Sequence, residues 1–413
     1  MIRDYTSRLG FLFRRADDGP VTRIALDIGT EYVKAVILEL TDAGPKVLGV
    51  GRARQDYANM EGGAVANIAG VTACCTEAVE QAAVIAGLKP KEAVLGIAGQ
   101  FVHGVSRTVE RQRSRAEKPL TVGELRSHFQ DAQKEALDSV TKKMKERLGY
   151  QKLEVELVNS SLVSMTIDGH PVNNPLDFPG RNLEFSIFMT FAPLVHAGAM
   201  RTIADRLGLK LVGMIAEPYA VAASSLTDEA YEFGSLVIDM GGGSTDIALV
   251  QQRGVVATKM VPMGGRAFTK GIAARLHKTL REAEQLKMDY SDGVGSMEIG
   301  DIIQADLEIW LDAVLLALRD IYTGTPLPHH IALCGGGSCL PGVAEMLRSD
   351  KLAGSGMFSQ RPEVILLRPD HIYGISDPKE FFRGQQDVTP KAIAYQAAVI
   401  QGSNHVLGGA LRA

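Results

Sequence analysis

The residues best suited to chemistry lie in one glycine-rich stretch, residues 236–250, which reads LVIDMGGGSTDIALV. An apolar run too short for a helix reaches Asp239, passes three glycines and resumes, which predicts a strand, a tight turn and a second strand. Glycine has no Cβ, so a phosphate can closely approach the backbone N–H groups of such a turn, and hydroxyl side chains add donors. Asp239 is placed to hold a divalent cation beside that phosphate, because such ions prefer oxygen ligands. The candidate phosphate-binding residues are Gly241, Gly242, Gly243, Ser244 and Thr245. A glycine-rich hairpin of a sandwich protein is the alternative interpretation.

A second stretch of the same kind lies near the start of the chain. Residues 24–40 read IALDIGTEYVKAVILEL, an apolar strand that reaches Asp27, passes Gly29 and Thr30, and continues as another apolar strand. Asp27 and Asp239 are 212 residues apart (239 − 27), about half the chain. Two phosphate-binding hairpins in two halves predict a duplicated fold whose halves face each other across a nucleotide cleft.

Four further features follow in chain order. Lys34 lies seven residues after Asp27, and Glu217-Pro218 stands at the start of a predicted helix in MIAEPYAVAASSL. The residues of interest in a later helix, REAEQLKMDYS, and in a glycine loop, IALCGGGSCLPG, are Glu284, Lys287, Ser291, Gly335, Gly336, Gly337 and Ser338. Together with both hairpins, these motifs resemble those of the actin-like ATPase superfamily, which includes actin, MreB, FtsA, Hsp-type chaperones and sugar kinases.

That resemblance implies an α/β protein with a duplicated ribonuclease-H-like (actin-like) fold, two lobes around a cleft for ATP and Mg²⁺. By resemblance, Asp27 and Asp239 hold the Mg²⁺, Lys34 points at the phosphates, and the two glycine turns cradle them. Glu217 orients the attacking water, with Asp239 as the second catalytic residue. The helix with Glu284 and the glycine loop at 335–338 hold the adenosine.

The bulk composition is that of a soluble globular chain with room for two or three domains. The 413 residues are 46% hydrophobic and 22% charged, and the formal net charge of −4 gives no general reason to expect nucleic acid. The four cysteines lack metal-site spacing and are expected to be reduced core thiols. The sequence contains no apolar run near 18 residues, so we expect no membrane span.

The first fifteen residues, MIRDYTSRLGFLFRR, place apolar side chains on one face of a helix and arginines on the others. This pattern is typical of a helix lying on an anionic membrane surface, with residues 2–15 as the contact. A disordered tail, or a strand packed on the body, is the alternative. The residues DDGP that follow predict a linker.

About 85 residues, from 99 to 183, form an insertion in the first half. A charged helix is predicted over 121–148, headed by Thr121 with Glu124 in capping-box spacing, and strands over 153–158 and 163–167. The loop-rich segment IDGHPVNNPLDFPGRNLE then closes the insertion. At this point the resemblance narrows to FtsA, a bacterial cell-division protein family, and implies a small strand-and-helix (SHS2-type) subdomain.

The expected division has five parts. Residues 1–22 form a tail and linker, 23–98 with 184–230 the first lobe (1A), and 99–183 the insertion (1C). Residues 231–265 with 330–413 form the second lobe (2A), and 266–329 a small lobe (2B). A helix over 306–322 is expected to bury Trp310, and a last helix, 392–401, to cross back between the halves.

The FtsA resemblance implies a cytoplasmic protein, peripheral on the inner face of the membrane, that self-associates into filaments and binds the C-terminal tail of FtsZ. It implies at most a slow ATPase. Only eleven residues follow Gly402, which departs from the FtsA pattern of a C-terminal amphipathic anchor. The anchor is then expected at the N-terminus or on a partner. The alternatives are a PilM-like cytoplasmic component of type IV pilus assembly and, with less support, a sugar or acetate kinase.

Overall fold

The computed structural model of the chain describes residues 21–99, 102–149, 152–172, 174–251 and 254–400. The predicted membrane contact, residues 2–15, lies outside this part, as does the chain after residue 400. The strands are β1 (Val21–Ile28), β2 (Tyr32–Thr41), β3 (Gly44–Arg54), β4 (Met60–Glu61), β5 (Ala64–Val65), β6 (Glu92–Ile97), β7 (His103–Gln112), β8 (Val155–Ile167), β9 (His170–Pro171), β10 (Asn182–Pro193), β11 (Lys210–Ala216), β12 (Ser235–Met240), β13 (Thr245–Gln251), β14 (Gly254–Val261), β15 (His330–Cys334) and β16 (Glu363–Leu366). The helices are α1 (Ile68–Ala86), α2 (Val122–Leu148), α3 (Leu194–Arg206), α4 (Glu217–Ser225), α5 (Asp228–Phe233), α6 (Gly265–Leu276), α7 (Leu280–Ser291), α8 (Met297–Ile321), α9 (Val343–Leu347), α10 (Asp350–Ala353) and α11 (Val388–Val399).

Two five-strand units have the same topology. In the first sheet the order is β11-β6-β1-β2-β3, with β1, β2 and β3 antiparallel and β6 and β11 parallel to β1. In the second sheet the order β16-β15-β12-β13-β14 repeats that arrangement, again with an antiparallel meander and two parallel strands. Each meander begins with one of the two predicted hairpins, so the repeat in the sequence corresponds to a repeat in the fold.

Helices α4 and α11 lie between the two sheets. Their side chains share one buried cluster with residues from both sheets, including Val36 from β2 and Val237 from β12. The predicted crossing helix at the end of the chain is therefore present, over Val388–Val399. A separate cluster behind the second sheet contains Trp310, which is 0% exposed, as predicted.

The insertion does not form a sheet of its own. Strands β7, β8 and β9 lie within it, and together with β10, which starts at its last residues, they continue the second sheet beyond β14 in the order β7-β10-β8-β9. The junction between β14 and β7 pairs Ala257 with Val105, and Ser106 Oγ donates to Val255 O at 2.9 Å. Helix α2 covers this extension, and the cluster beneath it includes Phe129 and Phe185 at an edge-to-face distance of 5.0 Å.

Two predicted strands of the insertion are one strand. We expected strands over 153–158 and 163–167, but β8 runs without a break from Val155 to Ile167. The polar residues between them are used inside the fold: Asn159 Oδ1 accepts the backbone N–H of Ala216 at 3.1 Å, and Ser160 Oγ accepts from Gln133 at 2.9 Å. Helix α8 is also longer than expected and begins at Met297, capped by Ser296.

Helix α1 contradicts the expectation that the chain has no membrane-length apolar segment. By length and composition it is apolar enough to cross a membrane. It nevertheless packs on β3, where a Cβ added at Gly51 would lie 1.9 Å from Ala78 O and one added at Gly49 would lie 2.4 Å from Ala82 O. These glycines permit the close approach, so α1 is part of the cover of the first sheet.

Candidate functional site

The first hairpin turn brings a carboxylate and an ammonium group to one point. Asp27, near the end of β1, stands opposite Lys34 on β2, and Lys34 Nζ lies 3.9 Å from Asp27 Oδ2. The turn is tight: Gly29 N donates to Tyr32 O at 3.1 Å, and a Cβ at Gly29 would lie 2.8 Å from that oxygen. Only glycine therefore fits this position without moving the backbone.

The second hairpin turn repeats this geometry with a different charge. Asp239 on β12 stands opposite Asp246 on β13, and Ser244 Oγ donates to Asp246 Oδ2 at 3.0 Å. Like charges directly opposite each other destabilise a strand pair. The second hairpin thus holds two acids in the positions where the first has an acid and a base.

The two turns meet face to face. A Cβ added at Gly242 would lie 2.6 Å from Glu31 Cγ, and one at Gly243 would lie 2.5 Å from Thr30 Oγ1. Arg266, at the start of α6, holds the turns together: it pairs with Glu31 and donates to Thr30 O at 2.8 Å. Its guanidinium also lies 4.0 Å from the centre of the Tyr57 ring.

A cavity of ≈ 490 Å³ opens between the two halves at these turns. It collects sixteen of the eighteen predicted site residues, which are Asp27, Gly29, Thr30, Lys34, Glu217, Asp239, Gly241, Gly242, Gly243, Ser244, Glu284, Lys287, Ser291, Gly335, Gly336 and Gly337.

The other two predicted site residues are placed elsewhere. Thr245 is fully buried, and its hydroxyl donates to Met263 O at 2.7 Å and accepts from the indole N–H of Trp310 at 2.9 Å. Ser338 is buried and its hydroxyl donates to Gly335 O at 2.6 Å. Both hydroxyls stabilise the walls of the site, which corrects the expectation that they face a ligand.

Four acids around the cavity have raised pKa values. Burial is the largest cause in each case: it raises the pKa of Asp27 to about 6 and that of Asp246 to about 7, with repulsion from Asp239 adding to both. The pKa of Asp239 is raised by burial although Thr389 Oγ1 donates to it. Burial and the neighbouring aspartates also hold the pKa of Glu217 well above its ordinary value.

This cluster fits a divalent cation. The described residues that line the cavity include six carboxylates and three cationic side chains, so the wall carries an excess of acid. A bound metal ion stabilises neighbouring carboxylates in their charged form, and Mg²⁺ takes carboxylate oxygens together with waters and phosphate oxygens. Asp27 and Asp239, the two predicted ligands, lie in this cluster with Asp246 and Glu217.

The other end of the cavity is built by α7 and the glycine loop. Lys287 Nζ donates to Glu284 Oε2 at 2.8 Å and to Thr269 Oγ1 at 2.9 Å. Burial opposes ionisation of Glu284, but Lys287 and the Thr269 hydroxyl hold its pKa below the ordinary value. In the loop, Gly335 has φ of +89°, and a Cβ there would lie 2.2 Å from Asp239 Oδ1, so the loop packs directly against the buried carboxylates.

Several residues of the site were missed by the sequence analysis, and the clearest is Asp246. Asp246 follows Asp239 by seven residues, as Lys34 follows Asp27, and that spacing could have revealed it. Arg52 and Gln386 also line the cavity. Neither residue gave a local signal in the sequence. Arg52 Nη2 donates to Asp387 Oδ1 at 2.7 Å, and these two residues are 335 positions apart. Cys339, expected in the core, is exposed and lines the cavity as a free thiol.

Comparison with known proteins shows which family this chain resembles. The family model described as cell division protein FtsA matches residues 236–379, which carry the second hairpin, α7 and the glycine loop. Cell division protein FtsA of Bacillus subtilis (strain 168) is 25% identical over 381 residues, which cover 86% of this chain and 80% of that protein. This chain is similar to FtsA. The FtsA of Enterococcus hirae is likewise 25% identical, over 347 residues that cover 78% of this chain and 75% of that protein. The predicted resemblance to the FtsA cell-division proteins is confirmed.

Solved structures show the fold. A chain of the PilM-PilN type IV pilus biogenesis complex superposes with a TM-score of 0.63 at 18% identity, covering 92% of this chain and 99% of that one. The ethanolamine utilization protein EutJ from Carboxydothermus hydrogenoformans gives a TM-score of 0.50 at 17% identity, covering 95% of this chain and 98% of that one. The predicted actin-like α/β fold is therefore confirmed.

Proposed function

We propose that this chain is an ATP-binding, actin-like protein of bacterial cell division that acts as FtsA proteins do. The observation that carries the proposal is the pair of glycine turns facing each other over a cluster of buried carboxylates, within a chain whose relatives are FtsA proteins. The likeness to the pilus protein concerns the fold, whereas the relatives by sequence are cell-division proteins.

The proposed nucleotide lies in the cavity with its phosphates at the two turns. The backbone N–H groups of Thr30, Gly242 and Gly243 would bind phosphate oxygens, and Lys34 would neutralise their charge. The N–H groups of Gly29 and Gly241 instead close the turns, by donating to Tyr32 O and Ser244 O. Asp27 and Asp239 would hold Mg²⁺, whose positive charge supplies electrostatic stabilisation of the phosphates. Glu284, Lys287, Ser291 and the loop of Gly335–337 would surround the adenosine.

Hydrolysis, where it occurs, would depend on positioning. Glu217 begins α4 and reaches the cavity from the core between the sheets. Glu217 would hold the attacking water by a hydrogen bond. A slow ATPase is the activity that this arrangement supports, with Asp246 as a second candidate to orient the water.

We further propose the cellular role implied by the relatives. The protein would be cytoplasmic and peripheral on the inner face of the membrane, would self-associate into filaments, and would bind the C-terminal tail of FtsZ. Residues 2–15 are the proposed contact with anionic lipid. The five-part division given above, with an SHS2-type subdomain at 99–183, belongs to the same proposal.

The proposed binding of ATP is tested by thermal unfolding with and without Mg²⁺-ATP. A ligand that binds the native state raises the unfolding temperature as its concentration exceeds Kd. Gly241→Ala is the sharpest variant: an added Cβ meets only Ser244 O, at 3.4 Å, so the fold should tolerate it while the methyl group obstructs a phosphate. Gly242→Val is a poorer probe, because a side chain there would strike Glu31 and disturb the contact between the halves.

The matched control is Gly123→Ala, where an added Cβ has no atom within 4 Å. Wild type and control should show the same upward shift with Mg²⁺-ATP, and Gly241→Ala should show little or none. An unchanged shift in Gly241→Ala would mean that the second turn does not bind phosphate.

The proposed binding of FtsZ is tested by capture of the protein on immobilised peptides. The FtsZ C-terminal tail should retain the protein, and a PilN peptide should not. Retention by PilN alone would favour the PilM-like alternative and would leave the nucleotide result untouched.

A further inference from the structure

Two histidines and a glutamate lie together at the end of the second sheet away from the nucleotide cavity. Strand β15 leads to the glycine loop at its carboxyl end, and His330 stands at its amino end, preceded by His329. Glu363 begins the neighbouring strand β16. The ligand atoms of His329, His330 and Glu363 all lie within 4.8 Å of one another.

The backbone under this group is held in place from both sides. Strands β15 and β16 are parallel, with His330 directly beside Glu363. Glu363 N donates to His329 O at 2.8 Å, and Ser235 Oγ donates to His330 O at 3.2 Å. The three side chains therefore leave an ordered strand pair, which suits a site whose ligands must be held at short distances.

One polar atom among these three side chains makes no hydrogen bond. His330 Nδ1 is buried and has no hydrogen-bond partner. The carboxylate oxygen of Glu363 faces it at 3.7 Å, too far for a hydrogen bond. A buried polar atom without a partner costs free energy. The rings of His329 and His330 lie side by side with their centres 3.9 Å apart.

These distances suit a metal ion better than a direct contact. Zn²⁺ binds imidazole nitrogen at about 2.0–2.1 Å and carboxylate oxygen at about 2.0–2.2 Å, so two ligand atoms of a tetrahedral site lie roughly 3.3 Å apart. The gap between His330 and Glu363 exceeds that separation by a few tenths of an ångström. A small rotation of Glu363, whose side chain is mostly exposed, closes it.

We propose that His329, His330 and Glu363 bind a zinc ion, at a site separate from the nucleotide cavity. Two imidazoles and one carboxylate form a donor set that suits Zn²⁺, whereas Mg²⁺ prefers oxygen ligands alone. Three protein ligands leave a fourth position for water or for a group on another molecule. The bound ion joins the start of β15 to β16, the edge strand of the sheet, and stabilises that edge.

The test is calorimetric titration of the untagged, metal-stripped full chain with zinc chloride in excess Mg²⁺. ATP is left out because its phosphates bind Zn²⁺, and the Mg²⁺ is there to compete for the cavity carboxylates, which could otherwise take Zn²⁺. Wild type should bind one Zn²⁺ per chain, and Zn²⁺ should raise its unfolding temperature. His330→Ala should weaken binding by at least about tenfold, the loss expected when a ligand or its support is removed.

Glu363→Gln provides a second variant that keeps the shape of an exposed side chain, so a failure to fold does not confuse the result. It should also weaken Zn²⁺ binding, while His170→Ala, at an exposed histidine in the insertion, should bind as wild type does. Wild-type affinity in either His330→Ala or Glu363→Gln would overturn the proposal. Loss of binding in His170→Ala would place the ion elsewhere and overturn it equally.

Discussion

Replacing Asp246 with asparagine is expected to stabilise the nucleotide-free protein at pH 8. Asp246 is buried opposite Asp239, and burial with that repulsion raises its pKa from 3.8 to about 7. Asparagine has the same shape, can still accept the hydrogen bond from Ser244, and carries no charge. The substitution therefore removes the cost of a buried negative charge while it leaves the packing intact.

The magnitude follows from linkage between protonation and folding. An aspartate whose pKa is raised on folding holds its proton more tightly in the folded state, so the free energy of unfolding falls as pH rises from about 3.8 to about 7. Each pH unit corresponds to about 1.36 kcal/mol. From pH 5 to pH 7 is two units, so ionisation of Asp246 costs the wild type about 3 kcal/mol that the asparagine variant does not lose. The advantage of Asp246→Asn should therefore be about 3 kcal/mol greater at pH 8 than at pH 5.

The assay is equilibrium unfolding in urea at both pH values, in chelator and without nucleotide. Trp310 provides the signal, because it is the only tryptophan and its indole N–H bonds to Thr245, next to Asp246. Asp301→Asn, on the exposed side of α8, is the control and should show no such pH-dependent gain. An equal effect of Asp246→Asn at both pH values, or destabilisation at pH 8, would refute this reading of the carboxylate cluster. Saturating Mg²⁺-ATP should narrow the difference, since the wild-type acids then have a counter-ion.

Three further predictions concern contacts between the turns, beneath α1 and within the insertion. Arg266→Ala should lower the affinity for ATP at least about tenfold, because it releases Thr30 O and Glu31 at the meeting of the two turns; equal affinity by equilibrium dialysis would contradict this. Gly51→Ala should destabilise the protein by about 1–3 kcal/mol or more in urea unfolding, since the new Cβ would lie 1.9 Å from Ala78 O; a stable variant would mean that α1 can shift freely. Arg113→Ala should cost about 2–3 kcal/mol within the insertion, because the buried guanidinium is bound to a glutamate on α2 and to Gly180 O; hydrogen exchange should rise in α2 and stay unchanged in the first sheet.

The parts of the site that the sequence predicted are those built from short segments. Each hairpin is an apolar run, an acid, glycines and another apolar run, and local steric rules alone require a tight turn there. Lys34, Glu217, the helix with Glu284 and the glycine loop at 335–337 were assigned by resemblance to a family. The cavity brings these residues together with those of the two hairpins.

The parts that were not predicted depend on distant partners. The break expected between 158 and 163 is absent, and within that segment Asn159 bonds to Ala216 and Ser160 to Gln133. The early start of α8 was hidden by Gly300, a poor helix residue, which is tolerated because Tyr290 packs against it. Asn159 and Ala216 are 57 positions apart, and Ser160 and Gln133 are 27 apart, so a local pattern could not reveal these two contacts.

The continuation of the second sheet by β7, β10 and β8 has a mechanical consequence. The chain enters the insertion from the first half and returns to that half through α3, and Asn159 of the insertion also bonds to Ala216 there. Strand β7 of the insertion nevertheless pairs with β14 in the second half. The insertion is thus joined through the chain to one side of the cleft and through strand pairing to the other side. Any rotation that widens the cleft must bend these strands or part the junction at Ala257 and Val105. We therefore expect that a ligand that changes the width of the cavity also changes the position of the insertion, which lies at the far end of the sheet from the cavity.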